Sequence, residues 1–318
     1  MWSAPLPLDT PGLPLAERPL DEVAVHVLDL MMERGQGARL REDLTELGNL
    51  LSPHELGEVY QFVAAMTTED GRAQIAAVAP MWSQLLNGAG AVFTRETLFE
   101  GSVLFRSALE ARVRPALVCF TSRQNGMFMP NCRFLELLGR HPVDVVMNWT
   151  ESGTFGLWDL DKAGSFALSL ARLRAALAAR GIVPGAYAGA SAGGGPAVYA
   201  AALDGGRTAV LFGGRFYVPG RNIPLGQAGP AFEPLCSCWR GPGPVVHNIF
   251  GALQPIDVEN DARLRALVGG AQSWPLAGDD KHSPMVTLAV RRKLRPVIDL
   301  LVQAAGGAVV SFDLVGAS

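Results

Sequence analysis

The sequence predicts an α/β fold: a mostly parallel sheet with helices on both faces, preceded by a helical N-terminal extension. Three observations carry this. From Arg114 onward, short apolar runs alternate with longer helical stretches, as strands joined by crossover helices do. Within that alternation, a small, apolar run over 185–188 leads through Gly189-Ala190-Ser191-Ala192-Gly193 into an Ala-rich stretch over 196–203. Ahead of it, residues 20 to about 105 carry apolar positions at helical spacing.

The elements follow in order. Five prolines in the first 20 residues predict an irregular, extended arm. Val23, Val27, Leu28, Leu30 and Met31 mark a first helix ending near Gly35, and Leu40, Leu44, Leu47 and Leu50 a second. Ser52-Pro53-His54-Glu55 reads as a helix start, with an N-cap serine, proline at N1 and glutamate at N3. Leu56, Val59, Phe62 and Val63 supply that helix's apolar face. Further helices are expected over 70–86 and 94–111. Then come a strand over 115–120, a polar turn over 121–126, a helix over 131–140 and a strand over 143–149. A polar, Gly-containing loop follows to about residue 163, then a helix over 166–180 that ends at Gly181.

After the strand–Ser191–helix unit, strands are expected over 207–213, 245–253 and 273–276, with helices over 261–268 and 283–304. Residues 307–314 read as one further strand. The Pro- and Gly-rich stretch over 214–243 holds Phe216, Tyr217, Phe232 and Trp239 and reads as a lid, because long structureless loops in a domain usually cover a site. The expected organisation is a Pro-rich arm over 1–20, a helical segment over 21–112, and an α/β domain over 113–318 with the lid-like insertion 214–243.

Bulk properties exclude several functions. A net charge of −3 makes no electrostatic case for nucleic acid or anionic membrane. No apolar run of about 18 residues predicts a membrane span. The N-terminus has neither the basic nor the apolar region of a signal peptide, so a cytoplasmic location is expected. Four cysteines are too few for a disulfide framework. Cys236-Ser237-Cys238 lacks metal-site spacing, and packing is the better reading. Gly189 with Gly193-Gly194-Gly195 lacks the Lys-Ser/Thr ending of a phosphate-binding loop.

The remaining chemistry centres on Ser191. Gly189 to Gly193 matches G-x-S-x-G, which holds a serine on a tight strand-to-helix turn. A nucleophilic serine needs a histidine to take its proton and an acid to orient that histidine. Of five histidines, His26 and His54 fall in the helical segment, His141 reads as surface and His247 as a core histidine. His282, on the loop after the 273–276 strand, is the candidate base. Two carboxylates suit the acid's place, Asp257 and Asp261. Asp261 also reads as a helix N-cap or first-turn acid; Asp257 lies nearer the strand end, within the loop, and is preferred. Glu259 ranks third, while Asp279 and Asp280 lie too close to His282 and read as solvated loop acids. The oxyanion amides are expected at Ala192 and at the Thr121–Ser122 turn.

The LVCFTS strand and turn, GASAG, GALQPIDVENDARL and GDDKHS together resemble an α/β-hydrolase, over about two-thirds of the chain from near Ala116 onward. The resemblance implies an eight-stranded type of sheet, no cofactor, and a mechanism through serine, acid and histidine. The sequence departs from the family in the missing H-G-type oxyanion motif, in the long helical extension and in the Gly-rich elbow helix. A serine hydrolase acting on an ester or thioester of a small-molecule acyl substrate is expected. The alternatives are an acyltransferase with the same three residues and a catalytically idle binding or scaffolding protein. The N-terminal helices are expected to pack on the domain, form a dimer contact or hold a protein partner.

Overall fold

The computed structural model describes residues 18–32, 37–78, 92–99, 101–111, 114–122, 126–149, 163–205, 207–215 and 243–308. The chain divides into two units, one of residues 1–91 with 131–133 and one of residues 92–130 with 134–318. The expected arm over 1–17, most of the lid stretch (216–242) and the expected strand beyond 308 lie outside the described residues.

The first unit is helical. It contains α1 (Leu20–Met32), α2 (Gly37–Leu50), α3 (Pro53–Met66) and α4 (Glu69–Val78). Val23, Val27, Leu40, Leu44, Leu47, Leu56, Val59 and Val63, all at most 2% exposed, form one cluster. The start of α3 is the expected capping box: Ser52 N–H donates to Glu55 Oε2 (2.8 Å) and Glu55 N–H to Ser52 Oγ (3.3 Å). His26 of α1 pairs with Asp43 of α2 at 2.7 Å.

The second unit is built on an eight-stranded sheet in the order β1-β2-β4-β3-β5-β6-β7-β8. Its strands are β1 (Phe93–Phe99), β2 (Ser102–Ser107), β3 (Pro115–Phe120), β4 (Asp144–Asn148), β5 (Val183–Ala190), β6 (Thr208–Phe212), β7 (Val245–Gly251) and β8 (Ala271–Leu276). β2 runs antiparallel to both its neighbours, and every pairing from β4 to β8 is parallel.

The helix expected over 94–111 is instead the β1–β2 hairpin. Thr94, Thr97, Phe99, Val103 and Phe105 favour a pleated surface, and Gly101, at φ 72, turns the chain between the two strands. The helical spacing in this stretch was accidental.

Helices α5 (Asn131–Leu138), α6 (Ala163–Ala178), α7 (Gly194–Leu203) and α8 (Pro255–Leu267) link the strands, and α9 (Pro284–Val290) and α10 (Leu294–Ala305) follow β8. Two of them differ from expectation. The single helix expected over 283–304 is broken into α9 and α10 at Arg292, whose φ is 57. Pro296 explains the break: it has no N–H to donate back to Arg292, yet it fits the first turn of a new helix. The helix expected from Asp261 begins six residues earlier, because Pro255 occupies its first position and Gln254 caps it.

The central layer is fully buried. All five residues of β4 are buried, as are the last seven of β5, as expected of parallel strands covered on both faces. Nine of the ten α7 residues are buried too; its alanines and glycines let it lie close to the sheet. Phe120, Phe166, Tyr187 and Tyr199 fill the core beneath α6 and α7. Among the described residues no helix is long and apolar enough to cross a membrane.

Candidate active site

Parallel strands deliver their carboxyl ends to one edge of the sheet. From β3 the chain moves outward to β4 and then returns past β3 to β5. The β3–β5 boundary is therefore a topological switch point, where the loops diverge and leave a crevice. Ser191 directly follows β5 at that point.

Local sequence shapes the turn. Ala190 is extended (φ −109, ψ 126), and Ser191 then takes φ 50 before a 3-10 turn over Ser191–Gly193 leads into α7. A side chain other than glycine pays for that left-handed backbone unless its surroundings enforce it. Here the enforcement is close approach. A Cβ on Gly193 would stand 2.1 Å from the Phe120 carbonyl oxygen, and one on Gly194 2.6 Å from Gly214 Cα. The Arg215 N–H donates to the Ser191 carbonyl at 2.8 Å. Ser191 is thereby held on a crest at the end of β5, 8% exposed.

Ser191, Asp257 and His282, which sequence placed far apart, meet here. His282 Nε2 lies 2.7 Å from Ser191 Oγ, and His282 Nδ1 lies 2.6 Å from Asp257 Oδ1. The Asp257 side chain is fully buried and that of His282 is 19% exposed. Asp257 Oδ2 is buried without a hydrogen-bond partner among the described residues. Asp257 stands in the first turn of α8 rather than in the expected loop. There the helix dipole favours a carboxylate.

The histidine loop is fastened to the acid's loop. Leu253 N–H donates to the Asp279 carbonyl (2.8 Å), and Lys281 N–H to Asp279 Oδ1 (3.1 Å). A Cβ on Gly251 would stand 2.6 Å from the Lys281 carbonyl oxygen, so glycine permits the approach. Asp279, expected as a solvated acid, is only 4% exposed and braces this loop.

Asp261, the other candidate acid, is directed elsewhere. Its carboxylate accepts from Asn248 Nδ2 of β7 (2.9 Å), Ser273 Oγ of β8 (2.7 Å) and Arg265 Nε (3.0 Å). It ties α8 to two strands and makes no hydrogen bond to His282. Glu259 pairs with Arg263 on the exposed side of α8.

The amides expected to complete an oxyanion site are only partly in place. Ala192 lies in the turn into α7, where N–H groups point out of the helix start. The Thr121 and Ser122 amides are engaged elsewhere: Thr121 N–H donates to Asn148 O and Ser122 N–H to Gly126 O, both at 3.0 Å. The physical reason is local. Thr121 continues the β3–β4 ladder by one residue, and the polar turn closes on its own carbonyl.

Two other histidines have partners of their own. His247 is buried in β7, where its Nδ1 accepts from Trp274 Nε1 (3.3 Å), and burial pushes its pKa down. His54 pairs with Glu58 on an exposed helix face. Among the described residues no cluster of three or more His, Cys, Asp or Glu side chains could hold a metal ion; Cys236 and Cys238 lie outside the described residues. Two neighbours of His282 carried no sequence signal, Gly213 and Phe128. A Cβ on Gly213 (φ 52) would stand 3.1 Å from the imidazole, and the Phe128 ring packs perpendicular to it.

No protein-family model and no curated protein matches this chain. Solved structures do. A 2,6-dihydroxy-pseudo-oxynicotine hydrolase superposes with a TM-score of 0.52 at 13% identity, over 95% of this chain and 94% of its own. A truncated form of a carbohydrate esterase from gut microbiota superposes with a TM-score of 0.50 at 12% identity, over 69% of this chain and 99% of its own. This chain has the α/β-hydrolase fold. Ser191, Asp257 and His282 follow β5, β7 and β8 in that order. Identities this low speak to the fold alone.

Proposed function

We propose that this protein is a serine hydrolase that cleaves an ester or thioester through an acyl-enzyme. The observation that carries the reading is the continuous chain of two short contacts, Ser191 Oγ to His282 Nε2 and His282 Nδ1 to Asp257 Oδ1. The fold is also that of the hydrolase and esterase structures it superposes on.

In this mechanism Ser191 Oγ attacks the acyl carbon as His282 Nε2 takes its proton. Asp257, buried against Nδ1, keeps the imidazole in the tautomer whose Nε2 is free to accept. It also stabilises the imidazolium that forms. The imidazolium then gives its proton to the departing alcohol or thiol oxygen or sulfur. Water, activated by the same imidazole, resolves the acyl-enzyme, and no cofactor enters. The Ala192 N–H, at the positive end of α7, donates to the oxyanion. A second amide from the Thr121–Ser122 turn requires that Ser122 N–H leave Gly126 O.

The test is labelling with a fluorophosphonate probe together with hydrolysis of p-nitrophenyl esters of varied chain length and of acyl-CoA thioesters. Wild type should label and turn over an ester or thioester, and Ser191→Ala should do neither. Folded wild type that does not label would overturn the proposal and leave a binding or scaffolding role. Acyl transfer to an added alcohol or amine in preference to water would make the same site an acyltransferase.

A further inference from the structure

The His282 imidazole has an aromatic neighbour besides its two hydrogen-bond partners. The Phe128 ring meets it with centroids 5.3 Å apart and planes at 88°, the edge-to-face geometry that aromatic pairs favour. Phe128 belongs to the connection between β3 and α5. Its backbone is at φ 60, a region that a bulky side chain occupies only when its surroundings impose it.

The imposition is visible on both sides of the residue. Met127 is fully buried, the Gly126 carbonyl is held by Ser122 N–H, and Pro130 (φ −54) fixes the entry to α5. Between these anchors the chain turns Phe128 back, half-buried, toward His282. Among the described residues other than glycine, positive φ occurs at Phe128, Ser191 and Arg292. Two of the three touch the same imidazole, Ser191 by a hydrogen bond and Phe128 by its ring. A further wall is the backbone of Gly213, where a Cβ would crowd Cε1 and Nδ1 of His282 at 3.1 Å.

We propose that Phe128 is a positioning residue: its ring confines the His282 imidazole to the orientation that points Nδ1 at Asp257 and Nε2 at Ser191. The χ2 torsion of histidine is intrinsically broad, so two hydrogen bonds at opposite corners still leave the ring free to rock out of line. A phenyl ring packed perpendicular to the imidazole at this distance restricts that motion, and strain in its own backbone is the cost of placing it there. The inference rests on the reading of Ser191 and His282 as nucleophile and base.

The experiment compares Phe128→Gly, Phe128→Leu and Phe128→Tyr with wild type and Ser191→Ala. It reads thermal midpoint, fluorophosphonate labelling rate against pH, and kcat and KM on a p-nitrophenyl ester. Phe128→Gly removes the ring and relieves the left-handed backbone, so it should stay folded. Its labelling rate and kcat should fall about 10- to 100-fold, the scale of an ångström of misplacement, with KM changed by no more than about threefold. Its labelling–pH profile should shift, and Phe128→Tyr should restore most of the rate. Phe128→Leu keeps bulk without the ring and should fall between. A folded Phe128→Gly that labels at the wild-type rate and pH dependence, while Ser191→Ala does not label, would overturn the role of Phe128 and leave the serine mechanism standing. Undiminished labelling of Ser191→Ala would overturn both.

Discussion

Two successive turns of α8 carry an aspartate each, and they are put to different uses. Asp257 and Asp261 are equally hidden, at 1% and 3% exposure. Asp261 is saturated: Asn248, Ser273 and Arg265 occupy its oxygens, and each partner is itself structural. Asp257 has one partner at one oxygen, His282, and its other oxygen has none among the described residues. A saturated buried carboxylate stabilises the fold, whereas an unsaturated one costs stability and is retained for what its one partner does. The two turns also cooperate. By fastening α8 to β7 and β8, Asp261 sets the position from which Asp257 reaches the imidazole.

That contrast can be broken experimentally, and the largest effect should come from the residue both turns serve. Ser191→Ala should reduce ester turnover by about 10⁴-fold or more with the fold intact, measured by kcat and thermal melting. Asp257→Asn should follow, with kcat down about 10³- to 10⁴-fold and little loss of thermal stability, since the amide presents the wrong tautomer to His282. Asp261→Asn should do the reverse, costing about 1–3 kcal/mol in denaturant unfolding while kcat changes only a few-fold. If Asp261→Asn abolishes turnover and Asp257→Asn does not, the two turns exchange roles. Gly213→Ala tests the space behind the imidazole. A Cβ at φ 52 and 3.1 Å from His282 should cost about 1–2 kcal/mol of stability and about tenfold in kcat.

The smallest effect concerns His247, which lies on β7 one residue before Asn248. Burial lowers its pKa in the folded state, so the unfolded chain takes up the proton first. Its contribution to stability is complete above about pH 6.5 and is lost as pH falls toward the lowered folded value. Urea midpoints should therefore drop on acidification below about pH 6.5, and His247→Gln should flatten that slope. A slope unchanged in the variant would assign the pH dependence to other groups.

Much of the fold was legible in the chain because its signals are local. The capping box at Ser52–Glu55 needs only four residues, and buried parallel strands such as 115–120 announce themselves as unbroken apolar runs. Signals failed where a local pattern fits two structures. The 94–111 stretch has apolar residues at helical spacing, yet its threonines, valine and phenylalanines pair as a hairpin once β4 offers an edge to β2. Pro255 and Pro296 were the overlooked marks: each sits where a first helical turn tolerates a missing N–H, one starting α8 early and the other dividing the terminal helix.

The amino-acid sequence alone determined which residues have the chemistry to act, and roughly where along the chain strand ends would present them. Ser191 in its glycine setting, a histidine after the last short strand and an acid after the preceding one are all readable from order and spacing. Only the tertiary structure showed which of the two aspartates of α8 contacts the imidazole, because both are buried one turn apart and differ in what stands opposite. It also decided that the Thr121 and Ser122 amides are engaged by neighbouring carbonyls, and that Phe128 and Gly213 border the imidazole. Those outcomes depend on which segments pack together at one sheet edge, as Phe128 does with His282 from far along the chain, and no local pattern encodes that.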